Sequence, residues 1–239
     1  IFHDILIINQ TDNNNCFVDS DSNVKMLNTC TIGTSISRNL ALENATGDIC
    51  IFADDDIKYV PDYERILLDS FLEYPDADII TFQIKTPDGS LFKNNYMTSR
   101  RWHNQRTVLK CASIEIAFRR ESVLNADLKL DLEFGLGSRY RIHDDVIFLS
   151  DALKKGLKIL YLPIPIVIHP KESSGTMYND FLITSKGAAF GRMYGEYIGY
   201  LIDVVYSMKK YHEYSKNYSF ISFLNLMIKG TQEFISSHK

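Results

Sequence analysis

Short apolar runs alternate with amphipathic segments over the first third of the chain, and this alternation restricts the fold more than any other feature. Continuous apolar runs are typical of strands buried on both faces of a sheet, and they occur at DILIIN (4–9), DICIFA (48–53) and ADIITFQI (77–84). NVKMLN (23–28) predicts a shorter strand. Residues 31–47 predict a loop and then a helix that Ser35 or Ser37 can cap, and residues 61–75 predict a second helix. Strands and helices in this order predict an α/β fold whose central sheet is mostly parallel and flanked by helices.

The second half of the chain continues with one clear helix, a proline-containing strand region and a helical end. DDVIFLSDALKKG (144–156) is amphipathic and ends at Gly156. LKILYLPIPIVIHP (157–170) predicts one or two short strands, which its prolines confine to sheet edges or bends. We expect a larger α/β domain at 1–175 and a helical extension packed on it at 176–239. Because the chain opens directly on a strand at Ile1, we also expect it to lack an N-terminal strand–helix unit of roughly 30 residues.

Composition excludes some classes of protein. The 239 residues carry a formal net charge of −4, which argues against a general nucleic-acid binder. The four cysteines form no C-x-x-C pair and no zinc spacing, which favours a reducing, cytoplasmic setting. The sequence contains no apolar run long enough to span a bilayer.

Three consecutive aspartates, Asp54–Asp56, follow the apolar run DICIFA. Ligands of α/β sheets bind outside the carboxyl ends of the strands, and carboxylates are the ligands that Mg²⁺ and Mn²⁺ prefer. In an extended chain Asp54 and Asp56 point to one side and Asp55 to the other, so one carboxylate can meet a metal while another meets a ribose hydroxyl. The alternative is a solvated acidic turn before a helix. NQTD, with Asn9 and Asp12, ends the first strand and predicts a polar cluster in the same crevice.

Two further groups carry candidate chemistry. Asp144 and Asp145 open the helix at 144–156, where they can serve as helix caps or as a general base. His169 stands at the end of the proline-containing strand region, where it can be structural or a metal ligand.

The stretch GTSISRNLALENATGDICIFADDD (33–56) resembles the family 2 glycosyltransferases with the GT-A fold, and in particular bacterial enzymes of polysaccharide assembly. The matching features are Gly33, Arg38-Asn39, A-T-G-D at 45–48 and the acidic triplet. The segment FGLGS…HDDVIFLSDALKKGLKILYLP resembles the family's second block, in which an acidic pair opens a helix. The resemblance covers roughly residues 4–170.

The resemblance implies a metal-dependent, inverting transfer of sugar from a nucleotide-sugar donor, expected to be UDP-linked. It implies that Asp56, with Asp54, binds Mn²⁺ or Mg²⁺ and that His169 completes the metal shell. Asp54 or Asp55 would lie near the ribose and Arg38 near the nucleotide.

The resemblance also assigns the remaining roles. Asn9 and Asp12 stand where the family often has an acidic pair that recognises the base. Asp145 matches the catalytic base and Asp144 its neighbour, although HDD replaces the family's usual E-D pair. The glycines of FGLGS, Gly135 and Gly137, would let the backbone approach the acceptor or sugar.

Two other functions remain open at this level: a degenerate GT-A-like binding or scaffold subunit, and a GT-A-like nucleotidyltransferase. The expected partners are a nucleotide sugar and a saccharide or lipid-linked acceptor of cell-surface polysaccharide synthesis, without nucleic acid. Aromatic and basic residues in the C-terminal helices can either pack on the catalytic domain or between helices, or make peripheral contact with the inner face of the membrane. The sequence does not determine the oligomeric state.

Overall fold

Eight strands, eight helices and two 3₁₀ turns occur in the residues that the structure, a computed structural model, describes: 4–11, 23–170 and 178–239. The strands are β1 (Ile5–Gln10), β2 (Val24–Thr29), β3 (Ile49–Ile51), β4 (Lys58–Tyr59), β5 (Ile79–Lys85), β6 (Arg101–Trp102), β7 (Ile116–Arg119) and β8 (Ile159–Ile168). The helices are α1 (Thr34–Asn44), α2 (Tyr63–Glu73), α3 (Arg120–Asn125), α4 (Asp144–Lys154), α5 (Asp180–Tyr194), α6 (Glu196–Lys209), α7 (Tyr211–Tyr214) and α8 (Phe220–Ser237). The 3₁₀ turns are Val108–Lys110 and Ser113–Glu115.

The elements fall into two compact units. The sheet unit comprises Ile1–Ile32, Ile36–Leu130 and Phe148–Ser173. The helical unit comprises Gly33–Ser35, Asp131–Ile147 and Ser174–Lys239. The division into domains at 1–175 and 176–239 stays a prediction.

The central sheet is mixed, so the expectation of a mostly parallel sheet is wrong. Among the described residues its strand order is β3-β7-β5-β8-β4, with β6 also paired to β8. Only β5 and β8 pair in parallel there, and the other pairs are antiparallel. Because β3 and β5 are both antiparallel to β7, they run in the same direction as each other and as β8. The alternation therefore predicted the common direction of β3 and β5, but β7 separates them.

Strand β1 lies outside the central sheet. It pairs with β2 in parallel, in register from Ile5↔Val24 to Gln10↔Thr29, as a separate two-stranded sheet. The polar end of β1 is therefore not a neighbour of β3 in one sheet, contrary to the expectation from the sequence.

The proline-containing segment forms one ten-residue strand, β8, inside the sheet rather than short strands at its edges. On one side β8 pairs with β6 at Leu160 and Tyr161 and with β4 at Val167 and Ile168, which leaves Pro163 between the two paired stretches. On the other side the register with β5 shifts on both sides of the Gln83↔Pro165 pair. The prolines are tolerated because they fall where no regular ladder bond is required.

Two apolar clusters cover the two faces of the sheet, since successive side chains of a strand point to opposite faces. Ile79 of β5 belongs to one cluster, which includes Leu42 of α1, Val123 of α3 and Phe148 of α4. Ile80, Phe82 and Ile84 of β5 belong to the other, which includes Leu67 and Phe71 of α2. The sheet unit is therefore a layer of strands between helices.

In the helical unit, α5 and α8 approach closely through glycines. A Cβ atom on Gly187 would lie 1.9 Å from the Met227 carbonyl oxygen, and one on Gly230 would lie 1.9 Å from that of Thr184. Only glycine fits at both positions.

The start of α1 differs from the expectation that Ser35 or Ser37 caps it. The helix begins at Thr34, and Ser35 is fully buried within it, donating from Oγ to the Phe134 carbonyl oxygen at 2.6 Å. The serine therefore ties the helix start to the segment before α4 instead of capping the helix.

Candidate functional site

The acidic triplet forms an exposed turn between β3 and β4 in the sheet unit. Because β3 and β8 run in the same direction, their carboxyl ends lie at the same edge of the sheet. Asp54–Asp56 follow β3, and His169 follows β8. This edge is the place at which α/β sheets bind ligands.

The structure brings His169 and Asp56 together. His169 Nε2 lies 3.3 Å from Asp56 Oδ2, with 13% of the histidine side chain and 62% of the aspartate side chain exposed. The ring of Phe92 meets the imidazole edge-on at 5.6 Å and limits its orientation.

The other ring nitrogen determines what His169 presents to Asp56. His169 Nδ1 lies 2.5 Å from the Pro170 carbonyl oxygen, which can only accept a hydrogen bond. Nδ1 therefore carries a proton, and in the neutral ring Nε2 is a lone pair directed at a carboxylate oxygen. The contact between His169 Nε2 and Asp56 Oδ2 is favourable only when the ring carries a second proton or when both atoms bind the same cation. A histidine whose second nitrogen donates to a carbonyl is the usual arrangement of a metal ligand.

Asp54 is held by Arg38. The Arg38 guanidinium on α1 donates to Asp54 Oδ1 at 2.9 Å and lies 5.6 Å from the centroid of the Phe52 ring. Arg38 is 14% exposed and Asp54 is 43% exposed. The sequence predicted both residues at the nucleotide site, and the structure places them in contact.

Tyr59 is a neighbour of the turn that the sequence did not single out. Burial raises its pKa, with smaller contributions from Tyr63 and Asp54, so the hydroxyl keeps its proton. Its ring stacks on Tyr63 at 4.1 Å. Within the described residues the buried Tyr59 hydroxyl has no hydrogen-bond partner.

The donor set at this edge fits a divalent cation held partly by substrate. Two ligand atoms bound to one octahedral ion at about 2.1 Å are roughly 3 Å apart, and the separation between Asp56 and His169 is close to this. In the part of the chain that the structure describes, no group of three His, Cys, Asp or Glu side chains has metal-binding geometry. Mg²⁺ and Mn²⁺ sites commonly use one or two carboxylates and complete their shell with substrate phosphates and water.

The remaining predicted nucleotide-site residues are less constrained. Asp55 is exposed in the same turn. Asn9, in β1, donates from Nδ2 to Asn28 Oδ1 at 2.8 Å. Asp12 lies outside the described residues.

Asp144 and Asp145 open α4 in the helical unit, as predicted, but their surroundings differ. Asp144 is buried, and the Thr34 hydroxyl donates to its Oδ2 at 3.4 Å. A Cβ atom on Gly135 would lie 3.0 Å from that oxygen and 2.4 Å from Thr34 Oγ1. Asp145 is half-buried and accepts from the Val146 backbone N–H at 2.7 Å. Asp144 is thus enclosed by its neighbours, whereas Asp145 is the more accessible acid.

His143, immediately before the pair, is a feature that the sequence analysis did not use. Its φ is 73°, in the left-handed region that a non-glycine residue rarely adopts. Burial lowers its pKa, and the Lys186 ammonium lowers it further, so the ring is neutral near pH 7. Strained backbone of this kind concentrates at functional sites.

A family model matches just under half of the chain. The model of glycosyl transferase family 2 matches residues 12–127. No curated protein matches the chain.

Solved structures of similar fold include three of S. aureus TarS. TarS 1–349 in complex with UDP-GlcNAc has a TM-score of 0.64 at 13% identity, covering 98% of this chain and 74% of that one. TarS 1–349 in complex with UDP has a TM-score of 0.61 at 13% identity, covering 98% of this chain and 73% of that one. A longer TarS structure gives 0.59 at 12% identity, covering 89% of this chain and 38% of that one, so the present chain spans well under half its length. At these identities the likeness shows an α/β GT-A-like fold with a mixed central sheet and C-terminal helices.

The family match includes α1, β3 and the acidic turn, which carry Arg38, Asp54 and Asp56, whereas His169 lies outside it. Residues 12–127 therefore match glycosyl transferase family 2, a family of EC 2.4 transferases.

Proposed function

We propose that this chain transfers a sugar from a UDP-linked donor to a saccharide or lipid-linked acceptor, with inversion at the anomeric carbon and with a divalent metal. The observation that carries the proposal is the pair of Asp56 and His169, 3.3 Å apart at the carboxyl edge of the sheet. The UDP and UDP-GlcNAc bound to TarS support the choice of nucleotide.

In this proposal the sheet unit binds the donor. Asp56 and His169 hold Mn²⁺ or Mg²⁺, with Asp54 nearby. When bound, the cation would offset the charge that develops on the leaving diphosphate. Arg38 fixes the Asp54 carboxylate on the nucleotide side, where Asp54 or Asp55 accepts from a ribose hydroxyl, and recognition of the base is assigned to Asn9 and Asp12.

Asp145 acts as the general base in this proposal. It takes the proton of the acceptor hydroxyl as the acceptor oxygen bonds to the anomeric carbon and the bond from that carbon to the diphosphate oxygen breaks. Asp145 is preferred to Asp144 because it is more accessible. Asp144, held by Thr34 and enclosed by Gly135, positions the start of α4. Neutral His143 adds no positive charge beside the base.

A lipid-linked acceptor would place the enzyme at the inner face of the membrane, and α6 supports peripheral contact there. None of the helices in the described part of the chain has the length and apolarity of a membrane span. The α6 stripe (Tyr197, Leu201, Val205 and Met208) is 55–85% exposed on one helical face, and Lys209 adjoins its end. An apolar face beside a basic residue fits a surface of anionic lipid.

Thermal unfolding of the chain with nucleoside diphosphates tests the proposal. UDP at about 100 times its dissociation constant should raise the unfolding free energy by about 2.7 kcal/mol, a shift of roughly 5–10 °C for a chain of this size. The shift should require Mn²⁺ or Mg²⁺ and disappear with chelator. Release of UDP from a UDP-sugar should accompany transfer. Absence of any metal-dependent shift would contradict the catalytic proposal and favour a scaffold role.

A further inference from the structure

A groove of about 680 Å³ lies within the helical unit, between the loop before α4 and the start of α5. Its volume is in the range of small-molecule sites. The residues that line it include Leu136, Arg141, Ile142, Asp180, Phe181 and Tyr218. Leu136 and Phe181 are 55% and 45% exposed, so apolar surface in the groove faces solvent.

Arg141 supplies positive charge to this groove. Its guanidinium lies 5.2 Å from the centroid of the Phe181 ring. Within the described residues it forms no ion pair, whereas nearby Arg139 lies 3.7 Å from Glu133. A guanidinium held on an aromatic ring keeps its planar set of donors available for carboxylate or phosphate.

Tyr218 and Asp180, which also line the groove, form a polar pair that can bind hydroxyl groups. Tyr218 donates from its hydroxyl to Asp180 Oδ1 at 2.6 Å, and this hydrogen bond raises the pKa of Tyr218, so the tyrosine keeps its proton. Asp180 Oδ2 and the Tyr218 oxygen can still accept hydrogen bonds. The groove therefore combines apolar surface, the Asp180 carboxylate and Tyr218 oxygen as acceptors for hydroxyl groups, and the Arg141 guanidinium as its cation.

The groove is near the proposed base along the chain. Ile142 lines the groove and precedes Asp145 by three residues. Three residues span at most about 11 Å, so an acceptor in the groove would be within a sugar unit or two of Asp145.

We infer that this groove binds the acceptor, and that the acceptor is a saccharide carrying a phosphate or carboxylate group that Arg141 recognises. The assignment to the acceptor rests on the proposed function, whereas binding of an anionic saccharide to the groove does not.

Saturation-transfer NMR on the full chain tests the inference with glucose 6-phosphate, glucuronate and glucose as probes. Chelator is present, so that phosphate cannot bind through metal at the acidic turn. We expect at least one anionic probe to bind and glucose to bind at least about tenfold more weakly, the scale of one charge-assisted contact. The preference between phosphate and carboxylate distinguishes the two sources of charge.

Variants locate the binding. Arg141→Ala should weaken the anionic probe about tenfold or more, Arg141→Lys should retain part of the affinity, and Phe181→Ala should also weaken it. Arg139→Ala, two residues away and outside the groove, is the matched control and should bind normally. Equal binding of glucose, or unchanged binding by Arg141→Ala, would overturn the inference.

Metal-dependent UDP binding, measured on the same samples, separates the two proposals. UDP binding without binding of any anionic probe overturns the groove assignment and leaves the donor proposal standing. Anionic probe binding that depends on Arg141, without UDP binding, supports the groove site and contradicts the proposed function. Failure of both overturns both.

Discussion

His169 directs Nε2 at Oδ2 of Asp56 across 3.3 Å, while its Nδ1 is occupied by the Pro170 carbonyl oxygen. If this pair shares a cation, His169→Ala should weaken Mn²⁺-dependent UDP binding by about tenfold or more, and Asp56→Ala should abolish it. Titration calorimetry with and without chelator measures both effects.

The control for this prediction is Asp69→Ala, which removes an exposed aspartate 3.7 Å from Arg65 on α2. It should bind UDP as the unmodified chain does. If His169→Ala also binds normally, the histidine is not a ligand and its contact with Asp56 is an ordinary ion pair.

Asp145→Asn should lower sugar transfer at least about 100-fold, the low end for loss of a general base. UDP binding should change little, because the proposed donor residues are untouched. Initial rates of UDP release and the dissociation constant of UDP separate the two effects. Asp144→Asn, which keeps an acceptor for Thr34, should lose less activity; the reverse ranking would make Asp144 the base.

Gly135→Ala should destabilise the protein more than Gly89→Ala. Both glycines have φ in the left-handed region, 97° and 86°, where alanine costs about 1–2 kcal/mol. Only at Gly135 would the new Cβ also meet Thr34 and Asp144, whereas nothing lies within 4 Å at Gly89. Chemical denaturation gives the unfolding free energy of each variant, and the difference between them measures the cost of the contacts with Thr34 and Asp144. Equal losses of unfolding free energy would show that the side chains around Asp144 can move away from the new Cβ atom.

Asp203 should make stability depend on pH. Burial raises its pKa to about 7, from about 3.9 in an unfolded chain. Thr231 Oγ1 lies 2.7 Å from Asp203 Oδ2 and 2.9 Å from the Gly187 carbonyl oxygen. The Thr231 hydroxyl has one proton, so it can donate to only one of these two oxygens. When Asp203 is protonated, its carboxyl group donates to Thr231 Oγ1, and the Thr231 proton stays available for the Gly187 carbonyl oxygen.

Between pH 4 and 7 the unfolded chain loses this proton while the folded chain keeps it, so the unfolding free energy should fall as pH rises. The loss should reach about 4 kcal/mol at most and level off above pH 7. Asp203→Asn, which keeps a donor for Thr231, should lack this contribution. Denaturation of both proteins across the range gives their difference, and a difference independent of pH would mean that Asp203 titrates normally.

Leu201→Glu, in the centre of the α6 stripe, should reduce sedimentation with vesicles that contain phosphatidylglycerol. The substitution places a charge on the face proposed to enter the headgroup layer. Ile221→Glu on α8, at similar exposure (69% against 63%), is the matched control and should sediment normally. If Leu201→Glu sediments normally with the vesicles, the α6 stripe does not bind lipid. If light scattering shows that the substitution changes the oligomeric state, the stripe is a contact between copies of the chain.

Local patterns in the sequence predicted most elements of the fold and the positions of most candidate residues. The apolar runs located β1, β3 and β5, and the acidic pair located the start of α4, because burial periodicity and helix-start chemistry are local properties. The pairing of strands is not a local property, so the sequence did not predict it. Nothing in residues 116–119 indicates that β7 lies between β3 and β5, since pairing depends on contacts distant in sequence.

The sequence by itself determined the family pattern, the strand that carries the acidic turn, and the acids that open α4. Only the tertiary structure decided that Asp54 pairs with Arg38, that Asp56 faces His169, and that Asp144 is enclosed while Asp145 is accessible. These outcomes depend on which distant backbones come together and on which side chains lose water there. The sequence therefore supplies the carboxylates and the histidine, whereas burial and the distances between them decide which can bind a ligand or accept a proton.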